Sequence, residues 1–155
     1  MIAVIQRVKQ ASVIADGSPA GSISHGLYVL LGVAAGDSEC DATALAEKIS
    51  KLRIFSDENG KMNLSVKDIA GEVLVVSNFT LNANYAHGNR PDYLGGANPE
   101  LANKLYNFFL TEMSARVVKC ECGVFGAEMF TDMQTDGPVT IVMDSAVLLK
   151  RRVAG

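Results

Sequence analysis

Apolar residues alternate at the start of the chain and then merge into unbroken runs. Ile2 and Val4 fall on one side of an extended segment and Ala3 and Ile5 on the other, a period of two that predicts a strand. Residues 12–15 continue as a strand, Asp16-Gly17-Ser18-Pro19 supplies a turn, and residues 22–24 form a weaker strand before His25-Gly26. The run Leu27-Tyr28-Val29-Leu30-Leu31-Gly32-Val33 is apolar throughout, the mark of a strand covered on both faces. The period then changes. Ala42, Leu45, Ala46, Ile49 and Leu52 recur at helical spacing behind a cap at Asp37 or Ser38, with Glu47, Lys48 and Lys51 on the opposite face.

A turn at Asp57-Glu58-Asn59-Gly60 precedes a short strand at 62–66, and Gly71 introduces a second buried strand at 72–77. Residues 82–98 are rich in Gly, Asn, Pro and Tyr and too long for a plain connection, a length that commonly marks function. Asn98 caps and Pro99 starts a second amphipathic helix, with Leu101, Leu105, Phe108, Phe109 and Glu112 marking its faces. Three strands close the chain, at 116–122, 127–133 and 139–144. Strands that cluster instead of alternating with helices predict an α+β fold. The expectation is a single domain over residues 1–155, with mixed and antiparallel barrel-like sheets and two amphipathic helices packed outside.

Composition narrows the classes. Apolar residues make up 48% of the 155 and charged ones 20%, which describes a globular chain with a core of its own. The run at 27–35 is far too short to span a bilayer, and the N-terminus lacks the pattern of a signal peptide, so a cytoplasmic location is expected. Cys40, Cys120 and Cys122 form no disulfide framework and are expected as buried or half-buried thiols. His25 and His87 sit in separate polar loops, so neither a metal nor a cofactor is expected, and phosphate-binding glycine patterns are absent. The net charge of −3 argues against a long nucleic-acid footprint and against DNA binding. Lys150-Arg151-Arg152 is expected as a solvated end.

Two segments carry the candidate chemistry. Ser77-Asn78-Phe79-Thr80-Leu81 ends one apolar strand, and Asp136-Gly137-Pro138-Val139-Thr140 opens another. A Gly-Pro pair can present two backbone carbonyls in a fixed direction with no side chain between them. Thr80 is the obvious hydroxyl nucleophile, yet no histidine lies near it in sequence to act as its base. The residues alone leave the nucleophile open. One reading makes Thr80 the covalent nucleophile of a general esterase, and another makes the protein a non-catalytic binding module, whose ligand a family resemblance would make an aminoacylated tRNA end.

The pairing of these segments resembles the D-aminoacyl-tRNA deacylase family. So do the opening Met-x-Ala-Val-Ile-Gln-Arg-Val-Lys, Leu52-Arg53-Ile54-Phe55, Gly88-Asn89-Arg90-Pro91, and Phe125-Gly126-Ala127 with Met129. The resemblance implies hydrolysis of the ester between a D-amino acid and the terminal adenosine of tRNA, with glycyl-tRNA partly admitted. It implies a homodimer with each site at the subunit interface. Gly137 and Pro138, joined by a cis bond and steadied by Arg7, would act in trans to exclude L side chains by collision. Phe79 and Thr80 would hold the ester carbonyl through backbone N–H groups, with Ser77 and Asn78 beside them. A ribose 2′-hydroxyl of the tRNA would help activate water. Phe125, Met129 and Thr140 would receive the adenine and ester. Asn78 replaces the family's usual Gln, and Thr135 its usual Asn, so a ligand hydrogen bond is expected to be lost or carried by water.

Overall fold

The computed structural model describes residues 1–153, with side chains to residue 150. Its elements in chain order are β1 (Ile2–Ala15), β2 (Ser18–Ile23), β3 (Gly26–Gly32), α1 (Glu39–Ser50), β4 (Phe55–Ser56) and β5 (Met62–Leu64). There follow β6 (Glu72–Ser77), a 3-10 turn (Phe79–Asn82), α2 (Pro99–Ser114), β7 (Lys119–Cys122), β8 (Met129–Asp144) and α3 (Ser145–Val153). The fold is the expected single α+β domain, and it adds a third helix.

One edge of β1 carries β8 along its length, while the other is shared between β3 near its start and β2 near its end. Beyond β3 the sheet continues through β6 and β7, both in parallel register. Around the barrel, β7 comes back towards β2, where the Lys119 ammonium donates to the Ser22 carbonyl at 2.9 Å. The barrel is nearly closed there, while β8 lies off this strand path and pairs with β1 alone among the described strands.

Both faces of β3 and β6 are covered, as their composition requires. Leu27, Val29, Leu31, Val73 and Val75 face the helices, joining Leu45, Ile49, Leu105, Phe109 and Met113 in the larger core. Tyr28, Leu74 and Val76 face the barrel interior with Val8, Val13 and Ile23. Fully burying such side chains contributes about 1.5–3 kcal/mol each. On β1 the alternation separates buried Ala3 and Ile5 from half-buried Ile2 and Val4.

Three sequence expectations change. The strands expected at 127–133 and 139–144 are one strand, β8, whose register slips twice opposite β1, so the Gly-Pro pair sits at an irregularity within a strand. The turn after β1 is confined to Asp16-Gly17, both with positive φ, and Ser18-Pro19 already belong to β2. Cys40 is exposed in the first turn of α1, while Cys120 and Cys122 are half-buried as expected. Burial pushes the Cys120 thiol to about 11. Lys150 is exposed, and the side chains of Arg151 and Arg152 lie outside the described residues.

The caps follow the sequence signals. Ser38 is the cap of α1, its N–H and hydroxyl donating to the Asp41 carboxylate at 3.0 Å each. Asn98 accepts from the Leu101 N–H at 2.9 Å with Pro99 next to it. Asp41 also accepts from the buried Ser145 hydroxyl at 2.6 Å, and that hydroxyl in turn accepts from the Met1 ammonium at 2.8 Å. One carboxylate thus joins the chain start, α1 and α3.

Burial opposes the Asp41 charge, but the hydrogen bonds from Ser145 and Ser38 outweigh it and hold its pKa below the ordinary 3.8. A depressed folded pKa stabilises the fold above the unfolded value, and that stability is lost as pH falls through the folded one. Asp41→Asn, which turns an amide donor towards other donors, is expected to cost about 1–3 kcal/mol at neutral pH. Denaturant melts of both proteins should show the gap closing below the ordinary carboxylate pKa; a gap constant with pH would refute the assignment.

Candidate active site

The parallel ladder of β3 and β6 ends at Leu31 opposite Ser77, and one further bond runs from the Asn78 N–H to the Leu31 carbonyl at 2.8 Å. The chain then coils into the 3-10 turn at Phe79–Asn82. This turn, the segment that follows β7 and one face of α2 surround a cavity of about 510 Å³. Leu31 and Val33 lie beneath it; Ser77, Asn78 and Phe79 form one wall, and Phe125, Gly126, Ala127 and Met129 another. Tyr106 and Ala102 of α2 and Tyr93 of the long loop complete it. Phe79 meets Tyr93 edge-on at 5.1 Å, and Phe125 packs against Tyr106 at 5.9 Å. No lining residue carries a formal charge.

Its polar groups are few and directed. The Asn78 side-chain oxygen accepts from both the backbone N–H and the hydroxyl of Thr80, an Asx turn that sets the start of the coil. Because Asn is one methylene shorter than Gln, its carboxamide oxygen turns back on its own backbone. The Thr80 N–H is therefore engaged, whereas the Phe79 N–H meets no acceptor among the described residues. The Tyr106 hydroxyl donates to the Val75 carbonyl at 3.0 Å, fixing the ring under the cavity. Burial, with lesser contributions from Cys122 and Cys120, raises the Tyr106 pKa far above neutrality, so the phenol stays protonated. Neither His25 nor His87 lines the cavity.

The second sequence segment lies elsewhere in the chain. Gly137 and Pro138 are exposed, joined by a cis peptide bond, beside Arg7 of β1. The Arg7 guanidinium donates from Nε to the Asp136 carbonyl at 3.2 Å, pairs with its carboxylate at 3.1 Å, and donates from Nη1 to the Ile54 carbonyl at 2.6 Å. Lys9 and His25 approach the same carboxylate at 3.4 and 3.8 Å. Burial and then Lys9 lower the His25 pKa, with Arg7 adding to this and Asp136 opposing it. Gly137 has φ +134, and a Cβ there would come within 2.7 Å of the Val139 nitrogen. Between this turn and Ser77 lie three strand spacings and four residues of rise, roughly 20 Å along the sheet.

Of the sequence candidates, Ser77, Asn78, Phe79, Phe125 and Met129 line the cavity. Thr80 stands just behind it, bound to Asn78. Arg7, Gly137, Pro138 and Thr140 do not line it; Thr140 faces Gln6 across β1 and β8, where the Gln6 amide donates to its hydroxyl at 3.4 Å. Sequence reasoning missed Tyr106 and Tyr93, which carry no motif, and the part of Asp136 as the carboxylate that Arg7 grips.

Gly32 shows how tightly the 3-10 turn is held. A Cβ at Gly32 would meet Leu81 Cβ at 2.9 Å and the Asn78 carbonyl at 3.0 Å, so the turn must shift. Gly32→Ala is expected to destabilise the fold by about 1–3 kcal/mol and to lower kcat/KM by roughly tenfold or more. Thermal melting read alongside turnover checks this, and unchanged turnover would show that the turn's position is unimportant.

The family model described as D-Tyr-tRNA(Tyr) deacylase matches residues 4–144. A D-aminoacyl-tRNA deacylase of Caldicellulosiruptor saccharolyticus is 53% identical over 145 residues, covering 94% of this chain and 97% of that protein. One from Chloroflexus aurantiacus is 50% identical over 155 residues, covering 100% of this chain and 97% of its own length. Among solved structures, the c-Myc DNA Unwinding Element Binding Protein superposes with TM-score 0.88 at 39% identity, covering 93% of this chain and 98% of that one. A probable eukaryotic D-amino acid tRNA deacylase superposes with TM-score 0.79 at 12% identity, covering 92% and 98%, which speaks for the shared fold alone. With the matched stretch running from β1 to the end of β8, the chain belongs to the D-Tyr-tRNA(Tyr) deacylase family.

Proposed function

We infer that the protein hydrolyses the ester linking a D-amino acid to the terminal adenosine of tRNA. Water adds to the acyl carbon, the bond to the ribose oxygen breaks, and the proton passes to that oxygen, giving free D-amino acid and tRNA. The observation that carries this reading, beside family membership, is a cavity without any charged side chain, walled by Phe125, Tyr106 and Met129 and edged by a main-chain N–H. Flat aromatic and thioether walls suit an adenine. The Phe79 N–H, which meets no acceptor among the described residues, would be the donor to the carbonyl oxygen as it gains charge. With no side-chain base present, the neighbouring ribose hydroxyl supplies the proton relay.

Selection by handedness belongs to Gly137 and Pro138 of a second copy. A turn that does not line its own cavity, and lies roughly 20 Å from Ser77 along the sheet, would act on another chain's, and an apolar surface is available for the contact. Val142 on β8 is 69% exposed opposite half-buried Val4 on β1. In the dimer the carbonyls of the turn would receive the substrate's α-amino group and refuse an L side chain by collision. Glycine, lacking a side chain, would pass in part, so glycyl-tRNA is a secondary substrate. The covalent esterase reading finds little support, since the Thr80 hydroxyl donates to a neutral amide and has no base beside it.

Purified protein is expected to release D-tyrosine from D-Tyr-tRNA, spare L-Tyr-tRNA, and sediment as a dimer. Gly137→Ala, which forces the Val139 backbone away, should lower the D-over-L preference by about tenfold, or 1.4 kcal/mol. An unchanged preference in a folded dimer would remove the turn from the mechanism. Thr80→Ala should retain turnover, and a trapped acyl adduct on Thr80 would establish the esterase reading instead.

A further inference from the structure

The long loop between the 3-10 turn and α2 is built in two parts. Its base is stapled: the Asn84 and Asp92 backbones exchange hydrogen bonds at 2.8 and 3.0 Å, and the Asn84 amide donates to the Asp92 carboxylate at 3.1 Å. The far side is anchored where Ala97 donates to the Val33 carbonyl at 3.0 Å and Ala35 to that of Gly95 at 3.2 Å. Its tip, at 85–91, is exposed throughout. Tyr85 is 81% exposed and Leu94 88%. An apolar side chain so displayed on a braced support is costly in water unless something covers it.

The position and charge of the loop indicate what that is. Tyr93 lines the cavity and directly follows Asp92, the partner of Asn84, so the cavity wall runs on into the tip within a few residues. The Asp92 carboxylate is occupied by the Asn84 amide and the Leu94 N–H at 3.2 Å. Arg90 makes no ion pair among the described residues, which leaves an exposed cation in the loop of a chain with net charge −3. Asn, His, Gly and Arg around a tyrosine make a poor apolar interface for a second copy. They make a good platform for single-stranded RNA, which offers flat bases to stack and phosphates to neutralise.

We propose that the loop at 84–94 holds the unpaired nucleotides that precede the terminal adenosine of tRNA, Tyr85 stacking on a base and Arg90 meeting a phosphate. This rests on the deacylase reading and deepens it. The terminal nucleoside and its amino acid fill the cavity, and the strand leaves across the loop. The loop therefore contributes to affinity for tRNA and not to the chemistry.

The test compares two substrates, D-Tyr-tRNA and the short ester 2′(3′)-O-D-tyrosyl adenosine, which ends before the loop. Tyr85→Ala is expected to raise KM for D-Tyr-tRNA roughly 5- to 100-fold, with kcat unchanged and the short ester cleaved as by wild type. Arg90→Ala should flatten the salt dependence of tRNA binding by about 0.7 in log–log slope. A labelled 5′-ACCA-3′ oligoribonucleotide, followed by fluorescence anisotropy, should bind wild type and lose affinity in both variants. Equal KM values for Tyr85→Ala and wild type on D-Tyr-tRNA would overturn the proposal. So would a Tyr85→Ala protein that loses its dimer but keeps oligonucleotide affinity, since the loop would then belong to the second copy. Wild type inactive on both esters yet binding the oligonucleotide through Tyr85 would sink the deacylase reading and leave the loop assignment standing.

Discussion

Two adjacent strands without a solvent face hold the rest in place. Because β3 and β6 are buried by helices on one side and by the barrel on the other, neither can slide without moving apolar side chains from one environment to another. Their parallel ladder ends in the bond from Asn78 to Leu31, which delivers the 3-10 turn to the cavity wall in a single orientation. Gly32 allows that turn to rest directly on the sheet. A main-chain donor placed this way needs no side-chain rotamer to be ordered, and so it keeps its aim at little entropic cost.

A neutral cavity has chemical consequences. Side-chain catalysis would require a group with a tuned pKa, and burial here favours the neutral forms, as it does for Tyr106. On the proposed reading, dipoles, shape and the substrate's own hydroxyl do the work instead. Charge is gathered instead around Asp136, where Arg7 and Lys9 converge beside the His25 imidazole and where the arginine also ties the turn to Ile54. On the proposed reading, chemistry and handedness are kept on separate rigid supports that meet only between two chains. That separation lets the turn be held by strong charges that would disturb an ester cavity.

Much of this was legible in the residues. The two-residue alternation of β1, the unbroken apolar runs of β3 and β6, and the caps Ser38, Asn98 and Pro99 each report a local physical preference. The candidate segments at 77–81 and 136–140 were visible as motifs. Other features were not. β8 reads as two strands because Gly and Pro signal a turn locally, yet pairing along β1 carries the strand through them. The last helix was missed because Ser145 is held by Asp41 and Met1, residues far away in sequence.

Local preference, then, settled most of the strands, the first two helices and the candidate segments, because periodicity, capping and turn chemistry act over a few neighbours. Only the folded chain decided that Asn78 turns back on Thr80, that Tyr106 and Tyr93 face the cavity, and that Gly137-Pro138 does not line it. Those outcomes depend on strand order and on contacts between residues distant in sequence, which no short window of sequence contains.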